Sequence, residues 1–381
     1  MKNYDWLVIG GGITGSALAY ELQSQGLKVL LLEPDSPLDN ATRYSYGGLP
    51  FWSGTSPETR ELCSEGIRLH RELPEILDGD TEFREINLLL TIRKEESPEA
   101  SVKQYQDCEI PPQLLSVEET CELEPLMNPS AIAGSICFPH GHINPKKTNE
   151  AYLKTFSRLG GEIAQESVNS LPIQGNQIIG VTTSKQTYYA EKTVICAGGY
   201  TRQLLTQVGV KLPVYFTHAE LLETPPLDLK LNSLIMPAND QRLPLETTAT
   251  APEKEELWDR PKQKLAEAVL DRGAIQFRDR HLCIGQISRT LSDLDAKIDS
   301  RASESWLRQE IGELFPVLKE VSASLKRCLI AFSPNRQSAI GQIENYEGVY
   351  IFSGFTSPLL FAPILAKRFA RSLGDFGLDI Y

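Results

Sequence analysis

The chain has few of the groups from which metal and disulfide frameworks are built. Its 381 residues include five histidines and seven cysteines, Cys63, Cys108, Cys121, Cys137, Cys196, Cys283 and Cys328. The odd count and the absence of any C-x-x-C pair exclude a zinc framework and a paired secreted scaffold. Basic residues are also short: 38 against 50 acidic ones, for a net charge of −12. Nucleic-acid binding rests on clustered Lys and Arg, so the balance argues against a general nucleic-acid binder, and an anionic membrane surface is disfavoured. No apolar run reaches the length of a membrane span. Internal repeats and low-complexity tracts are absent. What remains is a globular composition, 41% hydrophobic and 23% charged, long enough for two domains or one two-part fold. Unpaired cysteines suit a reducing compartment. The opening MKNYDWLVIGGG enters a strand pattern at once, so we expect no signal peptide and a cytoplasmic location.

The strongest pattern lies in residues 5–33. An apolar run, Trp6 to Ile9, breaks into Gly10-Gly11-Gly12-Ile13-Thr14-Gly15. SALAYELQSQGL follows with near-helical apolar spacing, and KVLLLE reads as a second buried strand closed by Glu33. The glycines at 10, 12 and 15 form G-x-G-x-x-G, which is weak alone. Here a strand precedes it, a helix follows, and an acid comes 18 residues after Gly15, the context of a dinucleotide fingerprint. Gly10 suits the tight turn, Gly12 lets backbone approach a pyrophosphate, and Gly15 lets helix pack on strand. Free N–H groups and the positive helix end attract the pyrophosphate. Glu33 is placed to accept from ribose hydroxyls.

NAD and FAD share this unit, so later segments must choose between them. Thr42-Arg43-Tyr44-Ser45-Tyr46-Gly47-Gly48-Leu49 follows soon after the acid. At this point the sequence resembles the D-amino-acid oxidase superfamily of FAD-dependent oxidoreductases, which includes glycine oxidase, sarcosine oxidase and D-amino-acid dehydrogenase. The resemblance continues at Phe138-Pro139-His140-Gly141-His142-Ile143-Asn144-Pro145, at Lys192 to Gly199 (KTVICAGG), and at Gly348 to Phe355 (GVYIFSGF). It implies FAD as cofactor. The residues it implies for FAD contact are Gly10, Gly12, Ile13, Thr14, Gly15, Glu33 and Pro34 in the first unit. Thr42, Arg43, Ser45, Gly47, Gly48 and Leu49 follow, with Val168, Ala197 and Gly198 further on. Gly354, Thr356, Ser357, Leu359 and Leu360 complete the set near the C-terminus.

The implied fold class is α/β: a Rossmann-like FAD-binding domain interleaved with an α+β substrate domain built on a mixed antiparallel sheet. Residues 1–82, 143–212 and 331–381 are expected in the first, 83–142 and 213–330 in the second. NLLLTIR, YFTHAELLET and HLCIGQIS read as strands over the flavin. Residues 146–168 read as a helix, a Gly160-Gly161 turn and a strand ending near Val168. Loops should dominate 225–262, which holds six prolines. Residues 305–318 read as an amphipathic helix, and 361–373 as a closing helix with Pro363 early, where proline is tolerated.

An amino-acid substrate needs its carboxylate held, and an arginine fork suits that task. Glycine oxidase and D-amino-acid dehydrogenase carry an arginine five residues before an aspartate ahead of the C-terminal flavin loop. Aligning that aspartate with Asn335 puts Ile330 in the arginine slot. Arg336 is the nearest replacement, with Arg43, Arg242, Arg278 and Arg289 as others. The sarcosine oxidase lysine thought to activate oxygen is leucine here, in Phe355-Thr356-Ser357-Pro358-Leu359-Leu360, which leaves the electron acceptor open between oxygen and another molecule. Cys328 falls where sarcosine oxidases bond flavin covalently; a buried, unreactive thiol is the alternative. His218 and Tyr215 are candidate pocket residues. His140 and His142 have the spacing of two metal ligands but no further cluster beside them, so no metal is expected. The expected activity is oxidation of a small amine or amino acid to an imine, with a small-molecule substrate and no nucleic-acid partner. Hydroxyacid oxidation and flavin binding without turnover are the rival readings.

Overall fold

The computed structural model describes residues 3–36, 38–334, 338–372 and 379–380. A parallel ladder grows from the buried runs of the sequence. Its centre is β1 (Asn3–Ile9), with β2 (Val29–Leu32) on one side and Thr187–Ile195 on the other. Glu162–Ala164 and Val349–Ser353 extend it outward, and antiparallel strands are added beyond Val349–Ser353 and off Thr187–Ile195. Parallel strands need crossovers, so both faces are covered. Alternation along β1 assigns the faces: Trp6 and Val8 pack with α1 (Ile13–Ser24), Pro145–Arg158 and Pro358–Ser372. Leu7 and Ile9 pack with Leu204, Leu205 and Val349 beneath. The fold class is mixed α/β with a Rossmann-like sheet, in agreement with the sequence pattern.

The second sheet also has nine strands among the described residues. In order they run Ser324–Phe332, Tyr215–Glu223, Leu282–Arg289, Val269–Gln276, Leu234–Pro237, Arg84–Arg93, Ile132–His142 and Gly48–Leu49, with Gln113–Leu115 on the side of Ile132–His142. All pairs are antiparallel except Leu234–Pro237 on Arg84–Arg93. The three expected strand runs all enter it. Helix Ser300–Leu314 covers one face through Leu307, Ile311 and Leu314. It starts before residue 305 because Asp299 caps it, accepting from Arg301 and Ala302 amides.

Three local expectations need correction. Residues 225–262 are not dominated by loops: they hold Leu234–Pro237, the helix Arg242–Ala249 and a 3₁₀ segment, Pro252–Asp259. The prolines fit because they stand at element ends, Pro237 closing a strand, Pro244 in a first helical turn and Pro252 opening the 3₁₀ segment. The strand after Gly161 ends at Ala164, and Val168 starts a separate short strand, Val168–Ser170, antiparallel to Gly180–Thr183. Pro363 is not early in its helix, which begins at Pro358. A proline there has no N–H for the carbonyl four residues back, that of Leu359. The His70 ring supplies the missing donor: its Nε2 lies 2.7 Å from Leu359 O.

Glu124 joins the helix Val117–Leu123 to the second sheet. Its Oε1 accepts from the Asn232 and Ser233 amides, both at 2.5 Å, while Oε2 has no hydrogen-bond partner among the described residues. Burial pushes this acid up to about 7, against the two backbone hydrogen bonds. A raised acid stabilises the fold below its unfolded pKa and loses that contribution as pH climbs through the folded value. Glu124→Gln, which mimics the protonated acid, should therefore match wild type near pH 4.5 and exceed its Tm by a few degrees at pH 8. Thermal unfolding across that range checks this; a constant difference between the two proteins contradicts it.

Candidate active site

β1 ends at Ile9, and Gly10 turns the chain with φ +104°, a conformation side chains avoid. A Cβ on Gly10 would stand 2.5 Å from the Cys196 carbonyl oxygen, and one on Gly15 only 1.8 Å from the Gly10 carbonyl oxygen. Helix α1 therefore sits directly on the strand ends. Gly12 is its N-cap and supplies no side-chain acceptor. The Ile13 amide donates to Thr42 Oγ1 at 3.0 Å; first-turn donors have no partner within a helix. Glu33 lies at the end of β2, where Oε2 accepts from the Gly11 amide at 2.6 Å and Oε1 from the Asp35 amide at 3.0 Å. Burial raises its pKa, and those two amides oppose the rise.

Asn149, on the helix Pro145–Arg158, donates to Gly11 O at 2.8 Å and accepts from Ser16 Oγ at 2.7 Å. Sequence reading missed it. Its only sequence signal is an asparagine inside an otherwise helical run, and its partners are more than 130 positions away.

The expected cofactor residues gather around this turn in part. Gly10, Gly12, Ile13, Thr14, Gly15, Glu33 and Thr42 meet there, and Ala197 comes close behind, its Cα 3.2 Å from a Cβ on Gly10. Gly198 follows with φ +54° and open space where a side chain would be. Gly47, at φ +77°, turns the chain that carries Ser45 into Gly48–Leu49, which pairs with Gly141 and His142. The Arg43 guanidinium is taken by Glu223, at 3.2 and 3.4 Å. Pro34 is exposed, and Val168 is half-buried on its separate strand. Leu359 and Leu360 point their side chains into the core, so only their backbone is available to a ligand.

The loop 355–357 leads into the helix Pro358–Ser372, and Gly354 before it has φ +77° with Ser333 Oγ 2.1 Å from its Cβ position. A cavity of about 240 Å³ opens between this loop and residues 331–334, under the helix Arg242–Ala249. Arg242, Asp240 and Glu246 bring both charge signs to its wall. Tyr215 and His218 do not line it. Tyr215 donates to Glu255 and packs on Trp258, while the His218 Nε2 meets Asp293 O at 2.9 Å, with burial lowering its pKa. Arg336 lies outside the described residues. Ile330 pairs with Thr217 on the neighbouring strand.

The two junction histidines have one nitrogen engaged each: Trp52 Nε1 donates to His140 Nδ1 at 3.0 Å, and Arg84 Nε to His142 Nδ1 at 3.2 Å. Burial lowers the pKa of both. Among the described residues, no group of three or more His, Cys, Asp or Glu is placed to hold a metal ion. Burial also pushes the Cys328 thiol up to about 12, where thiolate is scarce at neutral pH. No described helix is long and apolar enough to cross a membrane.

A glycine cradle that a Cβ would fill, an uncapped helix start and an acid at the end of the second strand fit a dinucleotide such as FAD. Comparison with known proteins agrees. A family model described as FAD dependent oxidoreductase matches residues 5–372. The chain is 23% identical to 4-methylaminobutanoate oxidase (formaldehyde-forming) of Paenarthrobacter nicotinovorans, over 96% of this chain and 43% of that one. It is 28% identical to monomeric sarcosine oxidase of Streptomyces avermitilis, over 55% of this chain and 56% of the relative. The chain thus spans about half the length of these two relatives. The crystal structure of glycine oxidase from Geobacillus kaustophilus superposes with a TM-score of 0.79 at 19% identity, covering 100% of this chain and 97% of that one.

Gly15→Ala should purify with most of its flavin absent, read as the ratio of flavin to protein absorbance, while the far-ultraviolet circular dichroism is kept. Full flavin content in this variant would separate the turn from the cofactor. For Cys328, acid precipitation should leave the flavin in the supernatant, as its high thiol pKa favours non-covalent binding; a yellow pellet would show the opposite.

Proposed function

Because the chain belongs to the FAD dependent oxidoreductase family, we propose that it oxidises a small amine or amino acid to an imine, which water then hydrolyses. Bound FAD supplies the two-electron acceptor. The chain's own residues bind and orient. First-turn amides of α1 take the pyrophosphate, helped by the helix dipole, and Glu33 takes ribose hydroxyls. This backbone mode suits a protein of net charge −12, which offers an anionic cofactor no general attraction. Thr42, Ser45, Gly47, Gly48 and Leu49, with Ala197 and Gly198, flank the rest of the cofactor. Backbone groups of Gly354, Thr356, Ser357, Leu359 and Leu360 serve its ring end.

The observation that carries the substrate reading is the cavity beside residues 355–357, whose wall holds charges of both signs. An ionised amino acid has the same pair of charges. Relatives named for 4-methylaminobutanoate and sarcosine, each an amine bearing a carboxylate, support it. We also propose the interleaved division into 1–82, 143–212 and 331–381 against 83–142 and 213–330. The sheet strands support it, apart from Gly48–Leu49 and the last two residues of Ser324–Phe332, which join the second sheet. Seven free cysteines suit the cytoplasm.

Mixing the protein anaerobically with amino acids, secondary amines and hydroxyacids tests the proposal by bleaching of the flavin absorbance. Bleaching by at least one amine or amino acid is expected. Bleaching by hydroxyacids alone, or by nothing, overturns the amine reading. Readmitting oxygen then distinguishes an oxidase, which recolours within turnover time, from a dehydrogenase.

A further inference from the structure

The wall of the cavity beside residues 355–357 carries more acid than base. Asp240 and Glu246 line it against a single cation, Arg242. Arg242 makes its ion pair with Glu246, at 3.4 Å, rather than with Asp240. A third acid, Asp271, stands behind Asp240 on the strand Val269–Gln276, which loses register between Leu270 and Gly273. Asp271 and Arg272 there oppose Gln286 alone, a bulge of the kind that re-aims side chains. It brings two carboxylates to one backbone hydrogen. The Arg242 amide reaches Asp240 Oδ1 at 2.8 Å and Asp271 Oδ2 at 3.2 Å, while the Gln241 amide donates to Asp271 Oδ1 at 2.9 Å.

Two carboxylates at one site resist ionising together, so the pair retains a proton. Burial raises the Asp271 pKa and Asp240 raises it further, pushing it up to about 7 against the Gln241 amide and Arg242. The other titratable groups around the pair are Glu246 on the helix, Cys328 on Ser324–Phe332, Tyr46 ahead of Gly48–Leu49, and Glu96, which holds Asn239. A separate feature of the same cavity calls for a polar ligand. Ser333 lines it at 9% exposure, and its Oγ has no hydrogen-bond partner among the described residues. We propose that Asp240, backed by Asp271, takes the proton of the substrate ammonium and is the catalytic base of the reaction. This rests on the amine reading above. An ammonium nitrogen has no free electron pair, so it must lose a proton before its carbon is oxidised. The N–H bond breaks, the proton passes to the Asp240 carboxylate, and the electron pair stays on nitrogen. The neighbouring carbon then gives up its hydrogen with two electrons to bound FAD as the C=N bond forms. Asp271 is a positioning residue that brings the base near neutral pH, where proton transfer is efficient.

Calorimetric titration of the flavin-loaded protein with tert-butylamine, whose nitrogen-bearing carbon has no hydrogen to lose, reads the site without turnover. Wild type should bind this cation about tenfold more weakly at pH 6 than at pH 8, as the pair gains its proton. Asp271→Asn should bind equally at both, since a lone carboxylate titrates at about 4. Asp240→Asn should bind weakly at both with its flavin content kept, because Asp240 is exposed and an asparagine oxygen can still accept from the Arg242 amide. In anaerobic bleaching by a secondary amine, the wild-type rate should level off above about pH 7. That limb should move to lower pH in Asp271→Asn and up to the ionisation of the amine itself, about pH 10, in Asp240→Asn. Wild-type binding that is flat from pH 6 to 8, or absent, overturns the proposal. Amine bleaching whose pH limb is unmoved by Asp240→Asn sinks this base and spares the amine reading, whereas no bleaching by any amine in wild type sinks the reading itself.

Discussion

A contact of backbone on backbone, Gly15 over the Gly10 carbonyl, sets the position of the remaining parts of the site. With a Cβ position only 1.8 Å from that oxygen, α1 can sit where it does only if residue 15 has no side chain. The Cys196 carbonyl closes the turn from behind, and Asn149 ties it to a third element, the helix Pro145–Arg158. Three strand ends and two helix starts therefore converge on one small volume. The local donors are backbone amides and the local acid is Glu33, an electrostatic pattern independent of the overall charge of −12.

At the other end, a proline and a histidine hold the second helix start. Pro363 leaves the Leu359 carbonyl without its helical donor, and His70 Nε2 takes that place at 2.7 Å. His70 is fully buried on the helix Pro57–Ile76, and burial pushes its imidazole down to about 4. It therefore stays neutral, with the proton on the nitrogen that faces the carbonyl. Gly66, one helical turn earlier, packs against Leu360, 2.8 Å from its Cβ position to Leu360 Cδ1. The loop 355–357 is thus delivered by a helix fastened at its first turn to a neighbour nearly 300 positions away.

The second sheet contributes a cavity wall in place of a cofactor cradle. Its strand Tyr215–Glu223 sends Thr217 to Glu246, and Glu246 stands beside Arg242. Tyr215, from the same strand, instead turns to Glu255, Trp258 and Phe332 in an aromatic cluster, with Arg202 over its ring at 5.0 Å. Arg202 in turn is held by Glu255 and Asp259. One strand thus serves both a polar cavity and a sealed core, from residues two apart on the same face.

The cofactor turn was legible in the sequence because it is local. Three glycines, a helix and an acid fall within 24 residues of Gly10 to Glu33, and the steric demands at Gly10 and Gly15 come from neighbours that the strand–turn–helix pattern already implies. Strand runs such as NLLLTIR were legible for the same reason: burial on a sheet leaves a period-two or continuous apolar trace. The segment 225–262 misled because prolines mark loops and element ends alike, and only the folded chain shows which. Asn149 and His70 left no such trace: each acts on groups brought near by chain reversal, at separations of 138 and 289 positions. The sequence by itself determined the nucleotide cradle and the family fold, because short-range sterics admit glycine alone at Gly10 and Gly15. Tertiary structure alone decided which carboxylates the arginines meet, Glu223 for Arg43 and Glu220 for Arg289, because those pairs join positions 180 and 69 apart.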